Sequence, residues 1–215
     1  MIRFLSLSMQ FMIGKVGAGI AASTAVLGTI GIVTKISKKV AVPIKTLLEK
    51  SRPDKRLLFA ARGASNSDWK SAWKRYINQH KGSNEDPFTL GTFSGEDAPN
   101  NFMSKCESLF EEKVVYESDD KYNLALEFCT RDTLASDFIW EQGKRVLNGG
   151  DNDSWSNVWS QYKRDGDLWN LNKSQESQVP QEFKNRCSEE TNSKAQDANS
   201  PKVLAAVKYC SVVRN

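Results

Sequence analysis

Histidine occurs once in the 215 residues, at His80, and cysteine only four times. One imidazole excludes zinc sites built on paired histidines, and it leaves a Ser-His-Asp set possible only if His80 serves. No glycine-rich phosphate loop is present: GKVGAG lies inside an uncharged run, and GKRVLNGG lacks the required spacing. Strand signals are scarce, and KVVYES (Lys113 to Ser118) is the strongest. The stretch HKGSNED could set a base beside carboxylates, but it reads more simply as a solvated loop. Glu111-Glu112 and Asp119-Asp120 read as helix-surface and capping charges rather than a paired-acid site. These shortages point away from an enzyme, and no cofactor or metal is expected.

Acidic residues are missing from the start of the chain. Residues 1–62 hold 11 Lys and Arg against two acids, Glu49 and Asp54, a net of +9. The remaining 153 residues hold 19 basic and 24 acidic groups, a net of −5. The chain's overall +4 therefore belongs to its N-terminal segment. Phosphate recognition needs clustered Lys and Arg, so the acidic remainder argues against a nucleic-acid partner.

No charged residue occurs in residues 16–34, VGAGIAASTAVLGTIGIVT. At 1.5 Å per residue a helix of this length spans roughly 28 Å, about one hydrocarbon core. Small residues recur every fourth position (Gly17, Ala21 and Ala25; Ala18 and Ala22; Gly19 and Ser23), as membrane helices tolerate. A cleaved signal peptide is the rival, but its leading segment would be long, and no small-x-small cleavage site precedes the lysines that follow. The run predicts an uncleaved signal anchor, with residues 1–45 forming a single transmembrane helix and its basic flank. Pro43 is expected to interrupt any helix continuing beyond it. Lys35, Lys38, Lys39 and Lys45 follow the span, which by the positive-inside rule places the C-terminal part in the cytoplasm.

Two later stretches share a spelling: SDWKSAWKRY from Ser67 and DSWSNVWSQY from Asp153. After Tyr76 come Phe102, Cys106 and Cys129. After Tyr162 come Phe183, Cys187 and Cys210. Phenylalanine precedes the first cysteine by four residues in both, and 23 residues separate the cysteines in both. Each second cysteine has an aromatic before it and a hydroxyl after it. Upstream, Lys55-Arg56-Leu57-Leu58 matches Lys144-Arg145-Val146-Leu147, and Thr46-Leu47 is a further candidate match for Thr133-Leu134. The copies differ mainly between Tyr and Phe, where the first is five residues longer. The period exceeds that of solenoid repeats. It predicts two tandem homologous domains, 46–130 and 131–215.

Within each copy the recurring residues have helical spacing. Trp69, Trp73 and Tyr76 stand at i, i+4 and i+7, as do Trp155, Trp159 and Tyr162, and each set would line one helix face. Ser67 or Asp68, and Asp153 or Ser154, are candidate N-caps. The expected fold is mainly all-α, with about three helices per copy packed around Trp69, Trp73, Tyr76 and Phe102, and around Trp155, Trp159, Tyr162 and Phe183. A tryptophan stripe can bind sugars, but in so small a domain it is more often core.

The cysteines admit three readings. They match no metal spacing. They lack the imidazoles a nucleophile would need. They fit one bridge per copy, Cys106 with Cys129 and Cys187 with Cys210, against the plainer alternative of buried thiols. Bridges imply an oxidising compartment. The lysine flank and the cysteines thus point to opposite orientations, and the outside one is expected here.

One apolar N-terminal span followed by copies of Trp-x-x-x-(Trp or Leu)-x-x-Tyr, Phe-x-x-x-Cys and aromatic-Cys-Thr/Ser resembles an uncharacterised paralogous family of membrane or surface proteins from haemotropic mycoplasmas. The likeness runs through Trp69, Trp73, Tyr76, Cys106, Cys129 and their second-copy equivalents. It implies a single-pass cell-membrane protein with its C-terminal part extracellular, acting in adhesion or antigenic variation toward a host or surface protein. The alternative is a structural scaffold facing the cytoplasm with reduced, buried thiols.

Overall fold

The computed structural model describes residues 40–91 and 93–214. The expected transmembrane segment, residues 16–34, lies outside them. None of the described helices is long and apolar enough to cross a membrane.

The protein is mainly helical. Its first half opens with β1 (Val42–Pro43), α1 (Ile44–Ser51) and β2 (Lys55–Leu57), followed by a 3-10 turn at Ala60–Arg62. Then come α2 (Ser67–His80), α3 (Asn100–Glu111), β3 (Lys113–Val114), α4 (Asp120–Phe128) and β4 (Thr130–Asp132). The second half runs through α5 (Ala135–Glu141), β5 (Lys144–Val146), α6 (Asn152–Arg164), α7 (Gln181–Thr191), α8 (Pro201–Tyr209) and β6 (Ser211–Val213). Each half therefore has four helices rather than three. The extra one is the short first helix, α1 or α5, whose apolar stripe (Ile44 and Leu48, or Ala135, Phe138 and Ile139) is too brief to stand out in the sequence.

The strands form three antiparallel pairs. β1 joins β3, β2 joins β4 with Arg56 opposite Arg131, and β5 joins β6 with Arg145 opposite Val212. The Lys-Arg-Leu and Lys-Arg-Val matches upstream of the tryptophans are thus strands. Three residues give too little alternation to announce a strand from sequence, and only the distant partner defines it. In the second half the place of β1–β3 is taken by a single bridge, Leu134 opposite Lys194. Ile44 N donates to Glu112 O at 2.8 Å and Ala135 N to Ser193 O at 3.0 Å, so Ile44 and Ala135 are equivalent. The candidate match of Thr46-Leu47 to Thr133-Leu134 is therefore displaced by one helical turn, and the first half's elements begin at Val42, inside the segment expected to be basic flank.

Both tryptophan motifs are helical. Trp69, Trp73 and Tyr76 are buried on one face of α2, and Trp155, Trp159 and Tyr162 on one face of α6. The caps fall upstream of the expected positions. Asn66 caps α2, its side chain accepting from Asp68 N, and Asp151 stands at the cap of α6. Asp151 is instead engaged by Arg145 through two hydrogen bonds of 2.6 and 2.7 Å. Gly149-Gly150 lie in the turn before α6.

No buried apolar cluster among the described residues mixes the halves: one cluster spans residues 44–129, and two others lie within 135–210. The junction is polar. Thr133, fully buried, donates from its N to Asp54 O and from Oγ1 to Pro53 O, and its carbonyl accepts from Ala195 N, all at 2.9 Å. Arg56 pairs with Glu141 at 2.7 Å and lies over the Phe138 ring. Lys194 and Lys55 both reach Asp132, and hold its carboxyl at about 2, well below the usual range.

Candidate functional site: two disulfide seams and their loop anchors

In the first half Cys106, on α3, and Cys129, at the end of α4, form a disulfide with Cα atoms 5.3 Å apart. In the second, Cys187 on α7 and Cys210 at the end of α8 do the same, also at 5.3 Å. All four sulfurs are thus paired, and each residue is at most 1% exposed. The hydroxyl following each second cysteine closes its helix. Thr130 Oγ1 donates to Leu126 O at 2.6 Å and Ser211 Oγ to Val207 O at 2.5 Å, each satisfying a carbonyl left free at a helix end. The chain then turns into its ladder, where Leu58 N donates to Cys129 O and Leu147 N to Cys210 O, both at 3.0 Å.

The tryptophan pair lies over this seam in both halves. Trp69 meets Phe102 edge-on at 6.0 Å and Trp73 meets it at 5.2 Å. Trp155 meets Phe183 edge-on at 6.1 Å and Trp159 meets it at 5.1 Å. Indole N–H groups reach backbone carbonyls from Trp69 to Phe59 and from Trp155 to Asn148. A buried indole needs such a partner, and this fixes the first tryptophan of each motif against the chain leaving the ladder. Trp69, Trp73, Tyr76, Phe102, Trp155, Trp159, Tyr162 and Phe183 are all at most 5% exposed, as core packing requires.

The tyrosine closing each motif has a further role that the sequence reading missed. Tyr76 donates to Asp86 Oδ1 at 2.6 Å and accepts from Phe88 N at 2.9 Å. Tyr162 donates to Asp167 Oδ1 and accepts from Trp169 N, both at 2.7 Å. The second oxygen of each aspartate accepts from a later backbone N–H, Gly91 or Asn172. Left-handed residues shape each loop, Thr89 and Gly91 in one, Asp167, Asn170 and Asn172 in the other. Burial pushes both tyrosine hydroxyls well above their ordinary range, and the adjacent carboxylate adds to that. For Asp86, burial raises the pKa, but the Gly91 N–H and Tyr76 hydroxyl lower it by more. Tyr162 is the main cause of the lowering at Asp167. The available signal was Asp-x-aromatic, Asp86-Pro87-Phe88 against Asp167-Leu168-Trp169, at the same 81-residue offset as the cysteines. It also locates the length difference: the five additional residues, 81–85, all lie between Tyr76 and Asp86.

His80 is not in a solvated loop. It is the last residue of α2, 4% exposed, packed on Tyr76 at 4.6 Å and Phe128 at 5.4 Å. Asp119 caps α4 by accepting from Lys121 N, while Glu111 and Glu112 pair with Lys45 and Lys121. Among the described residues, no group of three His, Cys, Asp or Glu is placed to hold a metal ion. Comparison with family models, with curated proteins and with solved structures gives no match for this chain.

Proposed function

We propose that the protein is a single-pass, membrane-anchored surface protein whose two halves are copies of one disulfide-tied helical module, held outside the cell for contact with a host or surface protein. The observation that carries this reading is the pair of disulfides, one per half and each closing a 23-residue separation, because such bridges persist in oxidising compartments. Membership of the haemotropic mycoplasma surface family, suggested by the motifs, belongs to the same proposal. Duplication is supported by the shared 81-residue offset of the disulfides, the tyrosine–aspartate anchors and the hydroxyls after the second cysteines. The anchor is supported by the uncharged run at residues 16–34. No catalytic role is assigned, since the aromatics and sulfurs that recur in both halves are committed to packing.

The lysines after the span favour the opposite topology, a scaffold facing the cytoplasm. Two measurements on cells expressing the chain with a C-terminal epitope separate them. On intact cells the epitope should be accessible to antibody and removed by added protease. After denaturing lysis into alkylating reagent, all four cysteines should resist modification until reductant is added. An epitope reached only after permeabilisation, with cysteines alkylated without reductant, would establish the scaffold instead.

A further inference from the structure

We infer that the first half carries a binding pocket for an organic cation, an alkylammonium or guanidinium group, which the second half lacks. Glu85, Asp86, Asp120 and Glu127 line a cavity of about 500 Å³ where the end of α2 meets α4, and no lysine or arginine is among its lining residues. None of the four forms an ion pair with any described residue, whereas elsewhere 17 such pairs form. Lys121 is taken by Glu112, and Arg75, whose charge is felt by Glu127, spends its N–H groups on the Glu127 and Thr130 carbonyls rather than on a carboxylate. Four carboxylates facing one cavity with no directly paired cation leave it net negative, and a cation entering it is attracted.

A second observation is independent of the charges. His80 lines the same cavity, is 4% exposed, and neither ring nitrogen has a hydrogen-bond partner. A buried polar nitrogen left unpaired is costly, and such groups gather where a ligand completes them. The carboxylates take the charge of an ammonium or guanidinium group, and a small shift of the atoms covering His80, whose ring nitrogens are closed to solvent in the unliganded protein, lets one N–H donate to the imidazole. Among the described residues these carboxylates do not form a group placed to hold a metal ion.

The pocket is built from what distinguishes the halves. Glu85 belongs to the five-residue insertion, and His80 to a last turn of α2 that has Gly166 in its place in the second half. Glu127 is replaced there by Lys208, which pairs with Asp165 at 2.7 Å, and Asp120 by Pro201. This inference is independent of membrane topology.

The test uses the full chain in detergent, titrated with spermidine and, separately, with a short peptide carrying one arginine between neutral residues. Because the protein has one histidine, its imidazole Hε1 proton gives a single NMR signal that reports the pocket. Saturable binding by either probe, with that signal shifting in parallel, supports the inference; spermidine alone would name a free amine, and the peptide alone a basic segment of a polypeptide. The triple variant E85Q/D120N/E127Q should weaken binding by about tenfold or more, and D153N/D197N, which removes two acids remote from the cavity, should leave it unchanged. Binding unaffected by the triple variant, lowered equally by the remote pair, or absent while calcium alone moves the histidine signal would overturn it.

Discussion

Opening the disulfides should loosen the two halves by the same amount. Each bridge joins cysteines 23 residues apart, and on the chain-entropy relation a loop of that size contributes roughly 3 kcal/mol. The partners sit in equivalent positions, one within the third helix of its half and one at the end of the fourth, with at most 1% exposure. Strain and packing terms should therefore also be alike. Reduction keeps both sulfurs in the core, so it isolates the loop term; C106A/C129A and C187A/C210A add the loss of buried sulfur and should cost somewhat more. Peptide-resolved hydrogen exchange on the full chain reads α3–α4 and α7–α8 separately. A loss of roughly 3 kcal/mol corresponds to about two orders of magnitude in protection for exchange limited by opening of the whole half. If reduction changes protection of either helix pair by less than about tenfold, the bridge is not holding that half. If the halves respond very differently, the loop-entropy argument fails as the common cause.

Replacing Asp167 by Asn should destabilise by about 1.5–3 kcal/mol, because a carboxylate accepting from Tyr162, Leu171 and Asn172 loses its charge and one acceptor; chemical denaturation checks it, and a change below about 0.5 kcal/mol would count against the anchor. Deleting residues 81–85 gives the first half the spacing of the second, so it should preserve the fold and the Tyr76–Asp86 bond; a collapse of near-ultraviolet circular dichroism would contradict this equivalence. Asp132 titrates at about 2 when folded, below its unfolded value near 3.8, so the stability it contributes is present above about 4 and lost as pH falls through about 2. D132N should flatten acid unfolding across that window. D137A removes two bonds of 2.7 Å from the 11% exposed Arg131 guanidinium and leaves the longer 3.1 Å pairing with Asp68 as its remaining ion pair, so it should cost about 2 kcal/mol, more than Arg131 and Asp137 replaced together by apolar residues.

The sequence by itself determined the helices that carry the aromatics. Trp69, Trp73 and Tyr76 recur at 3.6-residue spacing, and such a face must be buried wherever the helix lies. It also pointed to the cysteine partners, since equal separations leave Cys106 with Cys129 and Cys187 with Cys210 as the simplest choice, but only the structure shows them bonded rather than held as buried thiols. What it could not determine depends on contacts between distant residues. The strands at Lys55–Leu57 and Lys144–Val146 exist only through partners about 70 residues away, and three residues carry no readable period. α1 and α5 are too short for their apolar stripes to stand out from chance. Asp86 and Asp167 look like ordinary loop acids until a tyrosine hydroxyl and backbone N–H groups close on them. His80 looks solvated because its neighbours in the chain are Lys81 and Gly82. Tertiary structure buries it, because α2 runs two residues further past its tyrosine than α6 does and lays its last residue, His80, against Phe128.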